Sequence, residues 1–216
     1  MLLLAIGCKT RRPAVQDSLS APAETPSSFQ PVFTSEPIPE PVAARMRGVS
    51  YPHDASISLD DLRYLRLSYV DFDGNGQTGE MVCNKEIADD LVAIFRKLYE
   101  ARYPIRSIRL IDDFGGSDEE SMKADNTSCF NFRRKTGMRS LSKHALGLAV
   151  DINPLENPYV RGTSVHPAGA SDYADRSRDF AHKIDRDDLC WKLFREHGFS
   201  WGGAWRSVRD YQHFEK

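Results

Sequence analysis

Apolar and polar side chains alternate over residues 65–69, which is the pattern of a half-buried β-strand. Residues 79–84 resemble the partner of this strand, and the sequence Asp73-Gly74-Asn75-Gly76 between them favours a tight hairpin turn. Further strands are predicted over residues 107–111, 146–152 and 208–214. The chain is therefore expected to contain several short strands, the first two joined in a hairpin.

Two segments have helical periodicity instead. Over residues 85–102 the apolar positions fall on one helical face, and they are Ile87, Leu91, Ile94, Phe95 and Leu98. Residues 187–197 form a second predicted helix, with Asp187 as its N-cap and Gly198 as its stop. Because strands and helices do not alternate regularly and the hairpin comes early, we predict an α+β fold rather than a doubly wound parallel sheet.

The first 47 residues differ in composition from the rest of the chain. Residues 1–8 form a short apolar run that ends in Cys8 and resembles the end of a bacterial lipoprotein signal, whose cysteine is acylated. No basic segment precedes this run, so we interpret it as a truncated signal, with a chance apolar stretch as the alternative. Residues 9–47 are proline-rich and predict a disordered tether, because they bury too little apolar area to offset the entropy of ordering. The folded domain is then expected to span residues 48–216.

Composition narrows the class of protein. A net charge of −2, from 29 basic and 31 acidic residues, does not indicate a nucleic-acid partner. No apolar run approaches about 18 residues, so we predict no ordinary membrane-spanning helix. The four cysteines are too few for a disulfide framework, and Cys129 and Cys190 either form one disulfide or remain free buried thiols.

Candidate metal ligands lie in the last third of the chain. His144 and Asp151 are seven residues apart, and the aspartate lies in an otherwise apolar strand, where a carboxylate is costly unless it is paired or bound to a metal. Near the C-terminus, Asp210 precedes His213 by three residues. Two histidines and one aspartate make a three-ligand set that leaves a fourth zinc position open for water. From spacing alone, ordinary hydrogen-bonded His–Asp pairs remain the alternative.

The combination of motifs resembles a known family. The pattern Ser-x-His-x-x-Gly-x-Ala-x-Asp over residues 142–151, followed by Asp-x-x-His over residues 210–213, is similar to the VanX/VanY-type zinc D-alanyl-D-alanine peptidases, above all the VanY-like carboxypeptidase branch. The stretches 126–133, 141–154 and 201–205 resemble that branch as well. The resemblance is taken to span about residues 48–216, the predicted folded domain. It implies a single compact domain of the hedgehog/D-Ala-D-Ala peptidase type, in which a small antiparallel sheet flanked by helices carries zinc in a cleft.

The resemblance also implies roles for individual residues. Zinc is expected to be bound by His144, Asp151 and His213. Asp210 is expected to act as general base and then as general acid, at a position where many relatives carry glutamate.

Four more residues are expected in or near the substrate site. Arg133 is the candidate for polarising the scissile carbonyl or holding the substrate carboxylate, with a plain surface arginine as the alternative. Ser142, Asn131 and Trp201 are candidate substrate-binding residues. Ser142 is expected near the metal, with a place behind the metal ligands as its alternative, and a tryptophan such as Trp201 is equally usual in a core.

These roles imply a hydrolase of the bacterial cell envelope, facing the periplasm or the exterior and held to a membrane through Cys8. The expected activity is that of a zinc metallopeptidase on peptidoglycan stem peptides, as a D-alanyl-D-alanine carboxypeptidase with Zn²⁺ and no organic cofactor. Two alternatives stay open at this point. The protein is either an endopeptidase of the L-Ala-D-Glu type, or a non-catalytic zinc-bearing module that binds the cell wall.

Overall fold

The N-terminal half of the protein is built on a three-stranded antiparallel sheet. The computed structural model describes residues 29–133 and 141–216. Its first sheet contains β1 (Phe33–Pro37), β2 (Leu62–Val70) and β3 (Gly76–Asn84), in the order β1-β2-β3. Strands β2 and β3 are the predicted hairpin, so that part of the sequence analysis is confirmed and both strands extend beyond the predicted bounds.

The hairpin turn is held by one carboxylate. Asp71 Oδ1 accepts the backbone N–H groups of Asp73 and Asn75, at 3.0 and 2.8 Å. Strand β2 departs from simple alternation, because Ser68 is buried where a polar, exposed residue was expected. Its hydroxyl accepts the backbone N–H of Val32 at 2.7 Å, so the buried oxygen is satisfied.

The fold begins earlier than the boundary predicted at residue 48. Strand β1 pairs with β2 over five residues, from Phe33 opposite Leu67 to Pro37 opposite Arg63. Helix α1 (Glu40–Met46) follows and buries one face against the domain. Proline content misled the prediction, because an edge strand needs no ladder hydrogen bond on its outer side and tolerates proline. The Cys8 region and the rest of residues 1–28 lie outside the described residues.

Helix α2 (Ala88–Glu100) lies in the predicted helical segment and packs its apolar face on the first sheet. Short helix α3 (Asp118–Lys123) was not predicted. Helix α4 (Leu189–Glu196) is the second predicted helix, but its N-cap is Asp188 rather than Asp187. The Asp188 carboxylate accepts the backbone N–H groups of Cys190 and Trp191, which satisfies two donors of the first turn.

Eight further short strands lie in the described residues. Strands β4 (Ser107–Ile108) and β5 (Asn126–Thr127) form a parallel pair. The others are β6 (Ala149–Asp151), β7 (Tyr159–Arg161), β8 (Ser164–His166), β9 (Ser200–Trp201), β10 (Arg209–Asp210) and β11 (His213–Glu215). They form two antiparallel sheets, with the orders β6-β11-β9 and β10-β7-β8.

Three predicted strands are shorter than expected. Residues 208–214 are not one strand, because β10 and β11 lie in different sheets and the chain bends between them. The predicted strand over 146–152 is reduced to β6, since a 3₁₀ turn (Lys143–Leu146) precedes it. The strand predicted over 107–111 is reduced to β4 and is followed by a second 3₁₀ turn (Ile111–Phe114).

The main core joins α2, α4 and the sheets, so the predicted α+β class is confirmed. Cys83, Cys129 and Cys190 are buried and free, and the alternative of unpaired thiols therefore holds in the structure. None of the helices in the described residues has the length and apolar character needed to cross a lipid bilayer.

One buried carboxyl pair lies outside the candidate site. Asp125 and Glu156 are 3% and 6% exposed, and each has a buried oxygen without a hydrogen-bond donor among the described residues. Burial, together with the negative charge of Asp125, raises the pKa of Glu156 to about 8. Near neutral pH the pair therefore holds a proton that the unfolded chain releases, since an ordinary glutamate has a pKa of about 4.3.

This pair predicts a pH-dependent stability. Because the folded-state pKa of Glu156 is raised, its stabilising contribution is complete at acid pH and is lost as the pH rises towards 8. Glu156→Gln keeps a neutral side chain with an N–H donor at every pH. Its free energy of unfolding should match wild type near pH 4 and exceed it at pH 9 by about 2–5 kcal/mol, where the upper value is the full shift in pKa and solvent screening lowers it. Chemical denaturation at both pH values measures this difference. The exposed Glu196→Gln is the control, and a difference that does not change with pH contradicts the prediction.

Candidate metal centre

His144 is carried by the 3₁₀ turn Lys143–Leu146, and the residues around it explain that turn. Ser142 is the N-cap, and its Oγ accepts the backbone N–H of His144 at 3.2 Å. Gly147 ends the turn with φ +66°, and a Cβ there would lie 2.6 Å from the backbone nitrogen of Asn84. The Ser-x-His-x-x-Gly pattern is therefore the sequence of a capped turn that packs closely on β3.

Asp151 and His213 come from two neighbouring strands. In the antiparallel pairing of β6 with β11 they stand directly opposite each other. Directly opposed residues project from the same face of a sheet, so the carboxylate and the imidazole lie side by side. On its other side, Asp151 exchanges backbone hydrogen bonds with Ser128 at 2.9 and 3.1 Å.

The three side chains converge on one point. His144 Nε2 lies 3.2 Å from His213 Nδ1 and 3.2 Å from Asp151 Oδ2, and His213 Nδ1 lies 3.0 Å from Asp151 Oδ1. All three residues are buried. They are the only group of three or more His, Cys, Asp or Glu residues in the described parts of the chain with ligand atoms this close. Two nitrogens and one carboxylate oxygen fit a zinc ion with three protein ligands.

The outer nitrogen of each imidazole contacts an acceptor, which orients the ring. His144 Nδ1 lies 2.6 Å from the backbone oxygen of Cys129, and His213 Nε2 lies 3.2 Å from Glu215 Oε2. Each contact leaves the inner nitrogen facing the cluster. Acceptors of this kind fix the tautomer of a metal-binding histidine and raise its basicity.

Asp151 and His213 shift each other's pKa values in opposite directions. Burial acts to raise the pKa of Asp151, but the charge and hydrogen bonds of His144 and His213 outweigh it and lower that pKa. Burial acts to lower the pKa of His213, but hydrogen bonds to Asp151 and Glu215 raise it to about 10. The metal-free cluster thus binds a proton tightly, and a metal ion must displace it.

Asp210 lies next to this cluster on β10, opposite Tyr159 of β7. The residue as a whole is only half-buried, but its Oδ1 is fully buried and has no donor among the described residues. Burial raises the pKa of Asp210 to about 7, with His213 acting against this shift and Asp151 with it. A buried carboxylate with a free oxygen beside a metal-binding group is suited to proton transfer.

The Trp-Gly-Gly-Ala-Trp stretch supports both Asp210 and His213. A Cβ on Gly202 would lie 2.8 Å from the Asp210 Cβ and 3.2 Å from the His213 Cβ. Only a glycine therefore allows the backbone to approach this closely. The ring of Trp205, which is partly exposed, lies 5.2 Å from the His213 ring.

The predicted substrate-binding residues have structural contacts. Trp201 is buried in the main core, and its indole N–H donates to the backbone oxygen of Tyr211 at 2.9 Å. The alternative of a core tryptophan therefore describes it better, and Trp205 is the indole beside the cluster. Asn131 is also buried, and its backbone N–H donates to the His144 carbonyl at 3.1 Å. Asn131 and the capping Ser142 thus both support the position of His144.

Arg133 lies at the edge of the described residues, just before residues 134–140. Its Nη2 is 2.8 Å from Asp118 Oδ2 on α3, and its Nε is buried without an acceptor among the described residues. The guanidinium is therefore held in place by the ion pair to Asp118.

The sequence analysis did not predict two groups that contact the histidines of the cluster. They are the backbone oxygen of Cys129 and the side chain of Glu215. A carbonyl gives no sequence signal, but Glu215 follows His213 by two residues on a strand, which places both on one face.

Fold and site together define a mixed α+β protein with a buried His–Asp–His group that could hold a metal ion. Residues 136–216 match the family model of the D-alanyl-D-alanine carboxypeptidases. This part of the chain is similar to that family, which confirms over these residues the resemblance stated from the motifs. The matched range includes the three cluster residues and Asp210 but not Arg133 or Asn131. No curated protein and no solved structure matches the chain.

The geometry predicts one zinc ion per chain. His144→Ala and His213→Ala each remove one of the three converging ligand atoms, so both variants should lose stoichiometric zinc, measured by elemental analysis of the purified protein. His197→Ala is the matched control, because this histidine contacts Asp90 away from the cluster and its loss should leave the zinc content unchanged. Full zinc content in either ligand variant would contradict the assignment.

Proposed function

We propose that the protein is a zinc-dependent D-alanyl-D-alanine carboxypeptidase that acts on peptidoglycan stem peptides. The observation that carries this proposal is the convergence of His144, Asp151 and His213 beside the buried, unpartnered Oδ1 of Asp210. The family match over residues 136–216 supports the choice of reaction. A metal set alone would fit many hydrolases, whereas the match favours peptide cleavage at a D-alanine.

In the proposed site, His144, Asp151 and His213 hold the zinc ion. When bound there, zinc supplies a Lewis acid that activates water for attack and stabilises negative charge on the scissile carbonyl oxygen. Asp210 is proposed to transfer the proton. Its carboxylate accepts the proton from the attacking water and then donates that proton to the nitrogen of the leaving D-alanine, so that the C–N bond breaks with no net proton change.

Arg133 is proposed to bind the substrate. Its fixed guanidinium can form charge-assisted hydrogen bonds with the terminal carboxylate of the peptide or with the carbonyl oxygen at the scissile bond. The ion pair to Asp118 supports this role, because it orients the guanidinium before substrate binds.

We also propose a place in the cell envelope. A stem-peptide substrate lies outside the cytoplasmic membrane of a bacterium, and acylation of Cys8 would hold the domain near that substrate. This part of the proposal depends on the composition of residues 1–8 and on the substrate class implied by the family match.

The experiment that tests the function is cleavage of a stem peptide ending in D-Ala-D-Ala, beside the same peptide with an amidated C-terminus. A carboxypeptidase should release D-alanine from the first and leave the second intact, because recognition needs the free carboxylate. Cleavage of both peptides, or at an internal L-Ala-D-Glu bond, would indicate an endopeptidase. A zinc-loaded protein that cleaves neither would indicate a wall-binding module.

Asp210→Asn should lower kcat by about 10²–10⁴-fold with zinc retained, because the amide cannot carry the proton. In wild type the activity should fall as the pH drops through the pKa of Asp210, which is about 7 without metal and is lowered further by a bound cation. The fall in wild-type activity should therefore have its midpoint at or below pH 7. The residual activity of Asp210→Asn should not show this fall. Asp73→Asn, at an exposed position, is the control and should keep the wild-type kcat. A wild-type kcat in Asp210→Asn would overturn the role proposed for Asp210.

A further inference from the structure

Glu215 is a half-buried carboxylate beside the candidate metal centre, and the proposed reaction does not use it. Its Oε2 lies 3.2 Å from His213 Nε2, the ring nitrogen that faces away from the cluster. The other ring nitrogen, Nδ1, lies 3.0 Å from Asp151 Oδ1. The imidazole of His213 therefore stands between two carboxylates. An acceptor at Nε2 keeps the proton of a neutral ring on that nitrogen, so that Nδ1 can offer its lone pair to a metal ion.

Strand β11 fixes the position from which the Glu215 side chain starts. His213 and Glu215 are two residues apart on this strand, so both project from the same face of the sheet. Glu215 lies opposite Ala149 of β6 and Ser200 of β9, and Ser200 Oγ donates to its backbone oxygen at 3.1 Å. Because the buried Ala149 carries only a methyl group, the carboxylate has room to turn towards His213.

The two histidines of the cluster differ in their outer acceptors. His144 Nδ1 lies 2.6 Å from the backbone oxygen of Cys129, which is a neutral acceptor. His213 has a charged acceptor instead, and hydrogen bonds to a charged group are roughly twice as strong as neutral ones. The carboxylate also attracts whatever cation is bound at Nδ1. Since this attraction scales with charge, it favours a divalent ion over the single proton that the ion displaces.

We infer that Glu215 is a positioning residue that holds the His213 ring for zinc, and that zinc retention by this chain depends on its carboxylate. The inference rests on the zinc site of the proposed function and on none of its catalytic steps. Glu215 acts through His213, so its removal weakens zinc binding while all three ligands remain. Without the acceptor at Nε2, both tautomers of the neutral ring become accessible, and one of them carries its proton on the nitrogen that zinc needs.

The test compares Glu215→Leu and Glu215→Gln by competition with a chromophoric zinc chelator, starting from metal-free protein. We expect the zinc Kd of Glu215→Leu to rise by about 10–100-fold, the usual effect of losing such an outer acceptor. Glu215→Gln keeps an acceptor oxygen without the charge, so its Kd should lie between those of wild type and Glu215→Leu. Glu100→Leu, at the exposed end of α2, is the control and should bind zinc as wild type does.

Thermal unfolding separates this role from support of the fold. At one fixed zinc concentration, the rise in Tm that zinc produces should be smaller in Glu215→Leu than in wild type, because this rise depends on the zinc Kd. A residue that supports the fold alone lowers the Tm of the metal-free and the zinc-loaded protein equally. Such an equal loss would contradict the inference.

Three more results are decisive. An unchanged zinc Kd in Glu215→Leu shows that the carboxylate does not assist metal binding. If wild type takes up no zinc, the metal assignment fails and this inference fails with it. If zinc binding weakens as expected in the variants but zinc-loaded wild type cleaves no stem peptide, the proposed activity fails and the inference stands.

Discussion

The pairing of β6 with β11 is the interaction on which the candidate metal centre depends. The register sets His213 opposite Asp151, and a slip by one residue would turn one of these side chains to the other face of the sheet. Strand β9 on one side and the bridge from Ser128 on the other keep the register in place. The capped turn before β6 then adds His144. The backbone hydrogen bonds of these strands and of the turn therefore set the positions of the three side chains.

Two aspartates of the site differ because their neighbours differ. Asp151 contacts both imidazoles, and their charge lowers its pKa despite burial. Asp210 Oδ1 has no such partner in the part of the chain that the structure describes, so burial dominates and raises the pKa of Asp210. One residue type thus supplies a permanent anion suited to a metal and, beside it, a carboxyl group able to exchange a proton near neutral pH. The separation of the two roles follows from hydrogen-bond partners rather than from residue identity.

The sequence predicted the elements that local signals determine and was wrong where tertiary packing decides. The hairpin and both long helices follow from turn residues and apolar periodicity. The break between β10 and β11 was not predictable, because an apolar and polar pattern does not reveal that its two halves join different sheets. The sequence indicated His144, Asp151 and His213 as candidate metal ligands. The strand register, which the sequence does not reveal, is what brings His213 next to Asp151. The contacts of Ser142 and Asn131 with the backbone of His144 depend on a turn that residue types alone do not specify.

Strand β1 lies before residue 48 and protects an edge of the first sheet. It covers the outer edge of β2, whose buried residues include Leu65 and Leu67. A chain truncated at residue 48 would expose a row of unpaired N–H and C=O groups along that edge, next to apolar side chains. Such an edge is a template for pairing with a second molecule, so self-association would be the first consequence of removing a segment that looks dispensable by composition.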